Sequence, residues 1–77
     1  MEVLNFMNFS QKLYYLRTKK KLTQAELAKL SNVSQQSIAH YENGRGIPTM
    51  NTILQLSRVF GVKPDDLTND AKSVITE

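Results

Sequence analysis

Leu22–Gly44, LTQAELAKLSNVSQQSIAHYENG, decides the fold of this chain. Thr23 is placed to N-cap a helix, and Glu26, three residues on, to close a capping box. Leu22 before the cap and Leu27 after it form a hydrophobic staple. The pattern repeats downstream, with Ser34 as a second cap and Val33 and Ile38 as its staple. Between the two helices stands Asn32, one of the few non-glycine residues that enters left-handed backbone cheaply. The stretch therefore reads as two short capped helices meeting through a tight turn, a helix-turn-helix arrangement.

The outward face of the second of these helices has an unusual chemistry. At about 100° per residue, Gln35, Gln36, Ala39, His40 and Asn43 share one arc of about 140°. Ser37, Ile38 and Tyr41 fall on the other side. A helix that needed only solubility would more often carry Glu and Lys outside. Side-chain amides are instead the groups that pair bidentately with the N6 and N7 edge of adenine in a major groove.

These residues carry a resemblance. Leu22-Thr23-Gln24-Ala25-Glu26-Leu27-Ala28, then Gln35-Gln36-Ser37-Ile38, then Glu42-Asn43-Gly44 resemble the helix-turn-helix of the lambdoid phage repressor and Cro proteins, within the wider xenobiotic-response-element-type bacterial regulators. The likeness extends more weakly from about Ser10 to Leu67, and Asn32 replaces the usual glycine of the turn. It implies an all-α, five-helix, lambda-repressor-like DNA-binding domain whose helices 2 and 3 form the helix-turn-helix. Helix 3 would enter the major groove with Gln35, Gln36, Ala39 and His40 as candidate base-reading residues. His40 stands open between a base or phosphate contact and an ordinary exposed histidine. Gln24, Ser34, Asn43 and Arg45 resemble positions that meet DNA phosphates, with Gly44 permitting close approach. Arg17 and Glu42 match a partly buried ion pair that would hold helix 3 at its docking angle.

The remaining helices follow from caps and apolar stripes. Helix 1 is expected to begin at the cap Ser10, with Phe9 and Tyr14 as staple, and to run to about Lys20 with Leu13 and Leu16 inward. Thr49 starts helix 4, whose inward stripe is Ile53, Leu56 and Phe60 and whose end is Gly61. Lys63 is an imperfect cap, but Pro64 at the first helical position and the Val62/Leu67 staple favour a short helix 5. The division is an N-terminal arm over 1–9, the helix-turn-helix DNA-binding domain over 10–68 and a C-terminal tail over 69–77. Val3-Leu4-Asn5-Phe6 and Ser73-Val74-Ile75-Thr76 are rich in strand formers and could pair with each other, pair with a second subunit, or fray. Val3, Leu4, Phe6 and Met7, if exposed, would make an apolar patch that asks for cover.

At 77 residues and 40% hydrophobic content there is room for one small core, and with no cysteine it must be held by helix packing. No apolar run reaches membrane-spanning length, and Met1–Phe9 lacks the marks of a signal peptide, so a cytoplasmic chain with no membrane partner is expected. The net charge of +3 suits a polyanion only modestly. Its distribution is more telling, since Lys12, Arg17, Lys19, Lys20 and Lys21 crowd the first third while Asp65, Asp66, Asp70 and Glu77 lie near the end. That polarity would turn the amino-terminal half toward phosphate, although Lys19–Lys21 also suit the negative end of a helix dipole. As a surface charge, Lys12 should be replaceable by alanine within ~0.5 kcal/mol.

Catalysis and cofactors are not expected. His40 has no cysteine for a dyad, metal-ligand spacing is absent, and Asp65-Asp66 suit a helix start better than an acid–base pair. The reading is a sequence-specific regulator of transcription that binds double-stranded DNA, acting as a repressor that covers a promoter. The alternative is an antitoxin-like interaction module that binds a partner protein and keeps DNA binding as well. One module makes few base contacts, so a homodimer on a two-fold operator is expected, with half-sites about 34 Å apart. Phe60, Val62, Leu67 or the terminal segments are its candidate contacts.

Overall fold

The computed structural model describes Leu4 and residues 6–68. Five helices follow one another: α1 (Phe9–Lys19), α2 (Gln24–Ser31), α3 (Gln35–Glu42), α4 (Met50–Phe60) and α5 (Pro64–Thr68). No strand occurs among the described residues. Residues 3, 5 and 73–76, on which the proposed strand pairing rests, lie outside them. At Leu4 the chain is turned rather than extended, with the Met7 N–H donating to the Leu4 carbonyl at 3.1 Å.

The caps explain why the helices start where they do. Thr23 accepts from the Glu26 N–H at 3.0 Å while the Glu26 carboxylate accepts from the Thr23 N–H at 2.8 Å, a complete capping box for α2. Ser34 accepts from the Ser37 N–H to start α3, and Thr49 accepts from the Thr52 N–H to start α4. At α5 only the reverse half of a capping box is made, Asp66 accepting from the N–H of Lys63 before the helix at 3.2 Å.

Helix α1 begins earlier than its Ser10 signal implied. Asn8 is the cap, in a reciprocal box with Gln11, and Phe9 is the first helical residue rather than part of a staple. Both displaced residues are used on α3 instead. The Ser10 hydroxyl donates to the Glu42 carbonyl at 2.7 Å, and the Phe9 ring meets Tyr41 edge-on at 5.6 Å.

Left-handed residues end α1, α2 and α4. Asn32 has φ 59° and ψ 31°, and Gly61 has φ 69°. Beside Asn32 the buried Ser31 hydroxyl donates to the Leu27 carbonyl and accepts from the Val33 N–H, stitching the turn between α2 and α3. At the end of α1 the left-handed residue is Lys21, with φ 60°. The Lys21 N–H donates to Thr18 and the Leu22 N–H to Arg17, the paired bonds of a Schellman end.

Leu13 and Leu16 of α1, Leu27 of α2, Ile38 of α3, Ile53, Leu56 and Phe60 of α4, and Leu67 of α5 fill one core, joined by Leu4. Leu4 and the half-buried Met7 thus cover part of the apolar cluster that could have lain exposed, leaving Phe6 outside. The same core corrects two of the expected dimer contacts, since Phe60 and Leu67 are buried, whereas Val62 is half-buried at its edge. Lys12 is corrected as well. It is only 1% exposed and engaged within the protein, so it offers no charge to an outside partner.

Candidate nucleic-acid interface

Ile38 is buried in the core and half-buried Tyr41 packs on its edge, which fixes the rotation of α3 about its axis. The opposite arc is thereby turned out. Gln35, Gln36, His40 and Asn43 are exposed, while Ala39 between them is half-buried, a shallow spot flanked by longer polar side chains. No hydrogen bond among the described residues uses the side chains of Gln35, Gln36 or His40, so their donors and acceptors face solvent uncommitted.

The ends of α3 are built differently. Ser34 is exposed, but its hydroxyl is spent on the Ser37 N–H and hydroxyl. Asn43 is the C-cap, its own N–H bonded back to the Ala39 and His40 carbonyls. Gly44 follows with φ 78°, backbone that a side chain would disfavour, and the Arg45 N–H returns to the His40 carbonyl at 2.8 Å. Arg45 is held in this tight exit from α3 with its side chain exposed.

A single carboxylate ties this face to the rest of the molecule. Arg17 donates through Nε to Glu42 Oε2 at 2.6 Å and through Nη2 to Oε1 at 3.1 Å, a bidentate pair with side-chain exposures of 13% and 7%. The hydrogen bonds to Glu42 raise the Arg17 guanidinium above its ordinary value, against an opposing push from burial. Arg17 Nη1 reaches the Leu22 carbonyl at 2.7 Å, and the guanidinium lies 5.4 Å from the centre of the Tyr14 ring. Gln24 Nε2 completes the set by donating to Glu42 Oε1 at 3.0 Å. Glu42 thus joins α1, α2 and α3 through side-chain bonds, and its backbone carbonyl adds the tie to Ser10.

The structure gathers the sequence-derived residues into two groups. Gln35, Gln36, Ala39 and His40 share the outer face of α3. Arg17, Gln24 and Glu42 share the bonded junction behind it. Lys19, Lys20 and Lys21 are all exposed; Lys19 and Lys20 border a hollow shared with Phe60, Gly61 and Val62, and Lys19 Nζ stands 5.5 Å from the Tyr15 ring centre. Sequence reasoning missed Ser10 and Ser31 as cross-links. Ser31 had no signal beyond its place before Asn32.

Comparison with known proteins matches a helix-turn-helix family model to residues 13–67. The HTH-type transcriptional activator BcrR of Enterococcus faecalis is 43% identical over 61 residues, covering 79% of this chain and 30% of that protein. The cryptic phage CTXphi transcriptional repressor RstR of Vibrio cholerae is 32% identical over 69 residues, 90% of this chain and 62% of its own length. Among solved structures, the restriction-modification controller protein C.AhdI of Aeromonas hydrophila superposes with a TM-score of 0.72 at 34% identity, over 77% of this chain and 89% of that one. The chain spans about a third of the length of the first curated relatives it matches.

Proposed function

The chain belongs to the helix-turn-helix family whose model covers residues 13–67, and on that footing we propose that it is a sequence-specific transcriptional regulator that reads double-stranded DNA with α3. The observation that carries this reading is the exposed and uncommitted arc of Gln35, Gln36 and His40 around half-buried Ala39, on a helix locked in place by Glu42. Amides of this kind match adenine edges in the major groove. Gln24, Asn43 and Arg45 flank the arc and serve the phosphates, Arg45 with charge and the two amides with hydrogen bonds, while Ser34, whose hydroxyl is taken by Ser37, serves one through its backbone N–H. The regulator acts as a repressor by occupying promoter DNA. Its relatives include regulators of both signs by name, so a reporter assay with the promoter intact decides the sign.

It does so as a homodimer on a two-fold site. The exposed apolar side chains that support this are Ile47, Met50 and Leu54, 91%, 62% and 43% exposed, at the connector after α3 and the start of α4. Ile47 and Met50 border an apolar hollow of about 220 Å³ with Phe9, Pro48 and Ile53. Ile47 follows Arg45 by two residues, which puts this apolar edge next to the proposed phosphate contact.

Selection of bound sequences from random duplex DNA tests the reading. Recovery of a two-fold motif supports it, and recovery of no preferred sequence overturns it.

A further inference from the structure

Lys21 is the residue whose chemistry the fold does not explain. It sits at φ 60°, where the Cβ of an L-residue crowds the backbone carbonyl. The other helices of this chain that end on a left-handed residue use the types that tolerate it, Asn32 after α2 and Gly61 after α4. Among the described residues, only the end of α1 carries a long charged side chain there. The conformation is imposed by its neighbours. The Lys21 N–H is bound to Thr18 at 2.9 Å, the Leu22 N–H to the Arg17 carbonyl at 3.1 Å, and the Leu22 carbonyl to Arg17 Nη1 at 2.7 Å.

The helix dipole does not account for the lysine. Lys19 and Lys20 already place two cations in the last turn of α1 and its cap, and both border the hollow next to Phe60, Gly61 and Val62. Lys21 is past the helix end and is not part of that hollow. It stands three residues before Gln24, hence within about 11 Å of it along the chain. Through Leu22, Arg17 and Glu42 its backbone is bonded to α3, so its position relative to the reading helix is fixed.

We propose that Lys21 is a DNA-backbone contact, supplying at the α1–α2 junction the positive charge that the neutral Gln24 lacks. The proposal rests on the DNA-reading function above. Strain in the free protein is retained because a cation at this position is used on the phosphate.

The test compares Lys21→Gly, Lys21→Asn, Lys21→Arg and Lys20→Ala in the full chain, on a selected duplex and on a scrambled duplex of equal length, across a potassium chloride series. Lys21→Gly and Lys21→Asn should raise the thermal midpoint, because both fit left-handed backbone, yet weaken binding to both duplexes about 5- to 10-fold at low salt. Each should make the slope of log affinity against log salt shallower by about 0.9, the share of one phosphate. Lys21→Arg and Lys20→Ala should keep the wild-type slope. An unchanged slope in Lys21→Gly, or equal losses in Lys20→Ala, would overturn the assignment while leaving the DNA-reading function standing. A wild-type chain that binds neither duplex would overturn both.

Discussion

Gln24 and Glu42 are bonded to each other across the α2–α3 angle, the amide nitrogen donating to the carboxylate at 3.0 Å. A residue proposed to meet a phosphate is therefore also part of the frame that orients α3. One of its amide hydrogens is committed to Glu42, and the amide still has a second hydrogen and its oxygen for an outside partner.

This double role separates Gln24 from Asn43. Gln24→Ala should cost about 1.5 kcal/mol of folding stability, the lower end for a hydrogen bond to a charged acceptor because this one is partly exposed, and also weaken DNA binding. Asn43→Ala should weaken binding without that loss of stability. Urea titrations run beside binding assays distinguish the two, and an unchanged stability of Gln24→Ala would mean that the Gln24–Glu42 bond contributes nothing.

Arg17→Ala should cost about 3–5 kcal/mol, because it leaves the Glu42 carboxylate at 7% exposure without its bidentate partner. Lys29→Ala, on the exposed side of α2, should stay within about 0.5 kcal/mol. Lys12→Ala belongs with the core substitutions and should exceed about 1 kcal/mol, since the side chain is buried. Denaturant midpoints at constant slope give all three values.

Replacing Gln35 or Gln36 with alanine should cost about 1–3 kcal/mol on the selected site and relax preference at one or two base positions. Affinity for scrambled DNA should barely move, because phosphates supply that part of the binding. Parallel losses on both duplexes would show that α3 does not read bases.

Arg45→Ala should weaken selected and scrambled duplexes alike and make the salt slope shallower by about 0.9. Asn43→Ala, neutral before and after, should leave that slope unchanged. A potassium chloride series resolves the difference.

Met50→Asp and Ile47→Asp place charges on exposed apolar side chains, so the fold should tolerate them within about 0.5 kcal/mol. On the operator they should convert a two-fold footprint into a weak half-site footprint. Footprinting at saturation with both half-sites still covered would locate the dimer contact elsewhere.

Much of this arrangement is legible in the sequence where the signals are local. Thr23, Ser34 and Thr49 announce their helices because each cap satisfies backbone N–H groups two or three residues away. The start of α1 was harder, since two cap-like residues stand two positions apart. Ser10 has a good staple pattern, but Asn8 has Gln11 to complete a reciprocal box, and the box prevails. Lys12 misleads by its charge, although it shares a helical stripe with Phe9, Leu13 and Leu16, the spacing of a buried face. Phe60 and Leu67 read as contacts for a second copy in the sequence, but the packing of α4 and α5 places them in the core. Which apolar residue is left outside, Ile47 rather than Phe60, depends on how helices dock, and no local pattern records that. The Ser10–Glu42 bond spans 32 positions and is equally invisible in one dimension.

The division of labour along α3 has a consequence for how such a chain can change. Ile38, Tyr41 and Glu42 bind the helix to its neighbours, whereas Gln35, Gln36 and His40 contribute no side-chain hydrogen bond to any of them. Frame and text are written on separate residues of the same two turns. On the proposed reading function, a lineage, or an engineer, can rewrite Gln35, Gln36 and His40 toward a new operator while the scaffold stays in register. On that reading, new specificities lie a few substitutions apart, and none of those substitutions removes a side-chain hydrogen bond that holds the helix.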